Sequence, residues 1–473
     1  MKILKYIVII LVAGGLHSCD DYVDITPRGN AIAQSLDDID LLLNNATSFG
    51  GDGLAQAFRY EIPIVVNDNI EMRAQDISSI ESGFSAALAR IYRLEPVFYS
   101  TQENDELWRE TYKKIGTMNY VLQLLEDLNE DSEDKDHFKG EALTRRAFYY
   151  FLLVNVYGQH YGLPNASESG SGVPIVTVYG DENVAIDRKS VDEVYIFILN
   201  DLQEALSLLR DNRRNGSRIN KPAAHGLLAR VHLHMGDYDE ALDNADLALT
   251  FNSNLMNYAT FPADFFGNIA PPNGLDNPEH ILLGEARVTS AFTESFSRVV
   301  FGRFSPELAA LYDQANDLRI KVPGTDFVDG SYVYGLFNSF SLQHAVGITV
   351  PELMLIRAEV FARSGDITGA LDELNALRAN RFDADFVVTD GHLLTASDQA
   401  EALAHVIDER RREFHVNGMR FFDIKRLNAL DNAGISLTRG SVTYSPNGAN
   451  WAVPLSPNVI NNSNGQISQN PRE

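Results

Sequence analysis

The sequence predicts an all-α protein, with helical hairpins packed into a superhelical scaffold and long irregular loops between them. Three observations carry this. Apolar residues recur at helical spacing over several long segments. The pattern A-x6-G-D-x3-A-L occurs twice, as ARVHLHMGDYDEAL from Ala229 and as AEVFARSGDITGAL from Ala358. Stretches rich in Gly, Pro, Asn and aromatic residues, 158–189 and 255–350, separate the helical blocks, and loops of that length in a compact protein usually carry binding.

The chain begins with Lys2 and Lys5, an apolar run from Tyr6 to Leu16, and then Leu16-His17-Ser18-Cys19. The run is far short of the roughly 20 residues that span a bilayer. A positive start, a short apolar stretch and a small residue before the cut describe a secretory signal. With Cys19 directly after the cut the pattern is a lipobox, although His17 is unusual at its position. The expectation is a signal peptide over 1–18, lipidation of Cys19, a linker over 19–35 and one domain over 36–473. The alternative is a secreted protein with an incidental thiol. Cys19 is the single cysteine of the 473 residues, so neither an internal disulfide nor a thiolate zinc cluster can form.

Sixty-five acidic residues against 39 basic ones give a net charge of -26. A phosphate backbone is repelled by such a surface, so nucleic acid is not an expected partner. Helices are predicted over 107–128, 141–157 and 190–209. Ser190 and Glu193 form the S-x-x-E capping box of the last one, whose apolar face runs from Val191 to Leu209. In the first A-x6-G-D copy, His225, Leu228, Ala229, His232, Gly236, Ala241 and Ala245 occupy the slots of a tetratricopeptide hairpin. The small residues let two helices approach closely, and Gly-Asp ends the first helix in a tight turn. The predicted tetratricopeptide core covers about 105–250 and 350–428, with a loop-rich insert over about 255–345.

No nucleophile, dinucleotide or metalloprotease motif is present, and no cofactor or metal is expected. His232 and His234 sit two apart on a helix and point away from each other, so they read as packing residues. The acidic run Asp127 to His137 lacks the glycine and terminal glutamate of a calcium loop and reads as a solvated turn. In ERRREFHVNGMRFFDIKRLN, Glu409 to Asn428, helical spacing pairs Glu409 with Arg412 and Arg410 with Glu413, and offers Asp423 to Arg420 or Arg426.

That stretch also resembles the C-terminal signature of the SusD/RagB family of surface nutrient-binding lipoproteins. CDDYVDITPRG, LWRETYKKIGTMNYVLQLL, RRAFYYFLLVNVYGQHYGLP with GVPIV, KPAAHGLLARVHLHMGDYDEAL, PELMLIRAEVFARSGD and SQNPRE resemble further family segments in the same order. The resemblance implies a lipid-anchored, cell-surface protein of the outer membrane. Its loops would bind an oligosaccharide, or in some members a peptide, and catalyse nothing. Its partner would be a SusC-like TonB-dependent transporter, and Asp20, Asp21 and Asp24 resemble the family's export signal.

In glycan-binding relatives, exposed rings stack on sugar faces while polar side chains bond the hydroxyls. The matching stretches here supply Tyr60, Asn67, Asp68, Asn69, Phe84, Tyr92, Phe98, Tyr99, Phe265, Phe266, Phe292 and Phe296 as candidates, with Phe58 and Tyr332 alongside. No motif singles out any one of them. The two tryptophans fall on a helical core face (Trp108) and in the tail (Trp451), so any stacking falls to Tyr and Phe. A peptide ligand therefore stays open, as does a tetratricopeptide scaffold that binds other proteins.

Overall fold

The computed structural model describes residues 35–473, except 48–49, 52–55, 84, 181–185, 213–217, 264–268, 270–276, 283–284, 288–299, 323–324, 329–330, 336–343, 346 and 416. The predicted signal peptide, Cys19 and the linker up to residue 34 lie outside the described residues.

The first block comprises α1 (Leu36–Thr47), the short α2 (Glu61–Val65), α3 (Ala74–Gly83) and α4 (Ala86–Tyr92), then two long helices, α5 (Glu106–Asp127) and α6 (Glu133–Tyr157). α6 begins eight residues before the predicted start. Ser132 accepts from the Lys135 backbone at 3.2 Å, and Glu133, Asp134 and Asp136 fill the first turn, where the helix dipole favours acids. Every residue from Phe138 to Tyr157 except Lys139 is buried. A helix apolar on nearly all sides must sit centrally, and α6 packs between α5 and α7 (Val191–Leu208). The predicted capping box opens α7, with Ser190 and Glu193 each bonded to the other's backbone N–H at 3.1 and 2.7 Å.

The repeated motif forms two helical hairpins, α8 (Lys221–Met235) with α9 (Tyr238–Leu249), separated in sequence by α10 (Pro306–Leu311) from α11 (Val350–Ser364) with α12 (Ile367–Ala379). Gly236 and Gly365 end their first helices at φ of 84° and 87°, a conformation that costs side-chain-bearing residues about 1 kcal/mol or more. Ala229, Ala241, Ala245, Ala358 and Ala370 are fully buried. α9 also packs on α11, joined by an Arg357–Asp246 ion pair at 2.9 Å, so the hairpins stack. α13 (Gln399–Glu413) covers α11 and α12, and α14 (Met419–Asp431) meets α2.

The insert, read from sequence as irregular, contains short strands. β1 (Ile70–Glu71), β2 (Val300–Phe304), β3 (Thr325–Val328) and β4 (Ser331–Gly335) form an antiparallel sheet in the order β1-β2-β4-β3. Gly50–Gly51, Gln56–Arg59, Glu285–Arg287 and His344–Ala345 form a second. β5 (Leu437–Arg439) and β6 (Val442–Tyr444) form a hairpin beyond α14. With strands of two to five residues and long helices, the molecule remains all-α in class.

Buried ion pairs tie the insert to the helices. Arg381 donates to Glu279 and Glu413, both at 2.8 Å, and Arg319 to Asp317, Glu409 and Glu413 at 2.7 to 3.0 Å. Glu409 pairs with Arg412 as expected, at 2.6 Å. One expected pair is corrected: Arg410 meets Asp423 rather than Glu413. Of the two partners offered to Asp423, Arg426 takes it, while Arg420 reaches Asp68. The spacing showed who could meet along one helix. It could not show that a neighbouring helix or loop brings a better-placed partner.

Candidate functional site

The site starts at the turn after α2. Asn67 donates to the carbonyls of Pro63 and Ile64 at 2.9 and 2.8 Å and accepts from the Asn69 backbone at 2.9 Å. This Asx geometry fixes the turn. Asp68 then projects toward α13 and α14. Arg420 grips its carboxylate with two bonds of 2.7 Å, and Arg411 Nη2 stands 3.8 Å away. Burial pushes the Asp68 carboxyl up, but the Arg420 bonds and the charges of Arg420 and Arg411 outweigh it and hold the group below the usual range. The turn is wedged by Gly418, at φ 78°, whose Cα lies so near Tyr60 and Pro63 that an added Cβ would stand 2.7 and 2.8 Å from them.

From here an open cleft of about 1020 Å³ is lined by residues of 68–95, the start of α10, Arg411 and the β5–β6 hairpin. Its lining includes Asp68, Glu71, Tyr92 and Arg93, with Arg411, Thr438 and Arg439. Ser305 and Glu307 at the start of α10 close one end. The Tyr92 hydroxyl accepts from the Met72 backbone at 2.7 Å, and the Arg439 guanidinium lies 4.7 Å from the Tyr92 ring centre. Arg439 donates to the carbonyls of Asn67 and Ile70 at 2.8 and 2.5 Å, which ties the hairpin to the turn. The lining offers donors, acceptors and one tyrosine.

Of the sequence candidates, Asp68 and Tyr92 come together in this cleft. Asn67 and Asn69 lie beneath it, 2% and 0% exposed, and Asn69 accepts from Arg411 at 3.0 Å. Tyr60 and Phe98 are core residues, each 1% exposed, so neither ring presents a face to a ligand. Tyr99 is 7% exposed and lines a separate hollow of about 300 Å³ with Glu61, Ser85 and Gln102. These rings pack inward because they follow or flank short helices whose apolar sides face the scaffold. Phe84, Phe265, Phe266, Phe292 and Phe296 lie outside the described residues. Phe58 and Tyr332 fall on described strands, Gln56–Arg59 and β4.

Sequence reasoning missed the arginines. One signal was available for Arg411. Successive helical residues point about 100° apart, so Arg410, Arg411 and Arg412 cannot all join one internal network. Arg410 and Arg412 face inward, and Arg411 faces the cleft. Arg439, in the turn LTRGS, carries no local signal.

Two family profiles match this chain. Residues 39–233 match SusD-like proteins, described as "Starch-binding associating with outer membrane", and residues 350–472 match the "SusD family". The chain belongs to the SusD family. A curated relative, SusD-like protein P2 of Formosa agariphila, is 23% identical over 76% of this chain and 78% of its own length. A crystal structure of a SusD superfamily protein from Bacteroides thetaiotaomicron is 21% identical, covers 93% of this chain and all of its own, and superposes with a TM-score of 0.69. A laminarin-binding SusD-like protein is 18% identical, with 92% and 99% of the two chains covered and a TM-score of 0.61. At these identities the structural likenesses show the fold. The SusD family is a carbohydrate-binding family associated with the outer membrane. Among the described residues no helix is long and apolar enough to cross a membrane.

Proposed function

We propose that this SusD-family protein captures an oligosaccharide at the cell surface, tethered through lipidated Cys19, and delivers it to a SusC-like TonB-dependent transporter without altering it. The cleft around Tyr92 is the observation that carries this reading. Its volume of about 1020 Å³ is at the upper end of small-ligand sites. It is lined by carboxylates, guanidiniums and hydroxyls that suit sugar hydroxyls, with Tyr92, 5% exposed, beneath Arg439. The laminarin-binding relative shares the fold, and the lipobox with its following acids supplies a surface address.

A peptide ligand is the second reading. The hairpin β5–β6 has no third strand beside it among the described residues, and an extended peptide can add to such an edge. Calorimetry of the chain from residue 20 onward against oligosaccharides and mixed peptides decides between them. Oligosaccharide binding that Tyr92→Ala weakens is the expected result. Binding by peptides alone replaces the first reading with the second.

A further inference from the structure

Two of the guanidiniums that line the cleft, Arg411 and Arg439, lack a close carboxylate of their own. Asp68 has both oxygens engaged by Arg420. That leaves Arg411 and Arg439 facing the same cleft. Arg411 spends Nε on the neutral amide of Asn69, and its buried Nη2 has no hydrogen-bond acceptor. Arg439 donates to the carbonyls of Thr438, Asn67 and Ile70, all uncharged, and its buried Nε has no acceptor either. Among the described residues no carboxylate forms an ion pair with Arg439, and Arg411 has only the shared, distant oxygen of Asp68.

Buried donors without acceptors cost free energy, and the cost is largest for charged groups. Burial draws both guanidiniums below their ordinary values, as expected of cations kept from water without full compensation. The other carboxylates of the cleft do not cancel them. Glu71 and Glu307 are exposed at the rim, where water and salt screen them. Glu95 lies 3.6 Å from Arg93, which also binds Glu81 at 2.7 Å. Asp408 and Glu307 also act on Arg411, and Glu71 on Arg439, yet burial still prevails at both guanidiniums.

We propose that the cleft selects an acidic oligosaccharide, with a sugar carboxylate or sulfate ester seated between Arg411 and Arg439. The inference rests on the oligosaccharide reading above. Guanidinium forks match planar carboxylate and sulfate oxygens. Ser436, Thr438 and Ser441 then stand on the same wall for the neighbouring hydroxyls.

The test is calorimetry with four probes: a galacturonic acid tetramer, its methyl ester, a sulfated galactan tetramer and its desulfated form. A laminarin oligomer serves as an additional neutral sugar. The expected result is that one acidic probe binds about ten-fold or more tightly than its neutral counterpart. Arg411→Gln and Arg439→Gln should each erase that preference, and whichever anion wins identifies the group. Melting curves of both variants check that they fold, and either folded variant alone suffices. Equal binding of acidic and neutral forms, binding of neutral sugars alone, or a preference that survives both substitutions overturns the acidic assignment and leaves oligosaccharide capture standing. No binding by any of the five sugars overturns both.

Discussion

At the residue scale, Gly418 decides whether the site exists. It holds a left-handed backbone at the start of α14 while sitting against Tyr60 and Pro63, both part of the wall that carries the Asn67–Asn69 turn. A methyl group there meets a ring and a proline at under 3 Å and also strains the backbone. Gly418→Ala should therefore cost roughly 2 kcal/mol or more. Urea unfolding measures this, and a loss below 0.5 kcal/mol, on the order of a neutral surface change, would show that the contact yields. Residues of this scale were partly legible. Asn417-Gly418 reads as a turn by composition. That the turn closes onto Tyr60, more than 350 positions earlier, does not, because no local pattern encodes that approach.

At the scale of elements, the helices hold together through charge as well as apolar packing. Glu409 of α13 is fully buried and accepts from Arg319, Arg378 and Arg412 at 2.6 to 3.0 Å. Burial pushes its carboxyl up, but the three guanidiniums prevail and hold it far below the usual value. Glu409→Gln leaves three buried cations short of a counter-charge and should destabilise the chain by about 3–5 kcal/mol. The same unfolding curves report it. A change under 1 kcal/mol would mean that Glu413 and Asp317 compensate. The sequence showed the Glu409–Arg412 pair, since both partners lie one helical turn apart. Arg319 and Arg378 come from the insert and from α12, so only packing could bring them in. Likewise the Gly-Asp turns and buried alanines marked the hairpins from spacing alone, while the strands of the insert were hidden. Each is two to five residues long, and several pair across wide gaps, as Ile70 does with Phe304.

At the scale of the molecule, acid should loosen the protein in two overlapping stages. His160 and His415 are buried, which draws their pKa values down to about 3 and about 4; the Lys425 and Arg426 charges reinforce this for His160. Unfolded histidine titrates near 6.5, so below that pH the unfolded chain takes up protons that the folded chain refuses. The histidines' contribution is full above about pH 6.5 and declines as the pH falls toward 4, and it outweighs the opposite contribution of Asp105, whose carboxyl burial raises to about 6. Glu359, Glu409 and Asp423 are held below their ordinary values, burial notwithstanding, by surrounding arginines, and their contribution is lost at still lower pH. Melting temperatures at pH 7, 5.5 and 4.5 should decrease in that order, and a constant value would contradict the buried histidines. For the tether, Cys19→Ala should move the protein from membrane to soluble fractions. Retention of the unacylated variant on membranes would remove the lipid anchor from the proposal.

The sequence by itself determined the helical class, the two stacked hairpins, the family and an N-terminus that reads as a lipid anchor. These rest on patterns repeated every three to four residues or on contiguous segments, where the chain's own spacing carries the information. Only the tertiary structure decided where the cleft lies. It turned Tyr60 and Phe98 inward, placed Tyr92 in the cleft lining, and bound Arg411 and Arg439 to the 67–70 turn. The physical reason is that a ring or guanidinium is exposed or buried according to what distant segments pack against it. That information lies in the packing between segments, and no single stretch of the chain contains it.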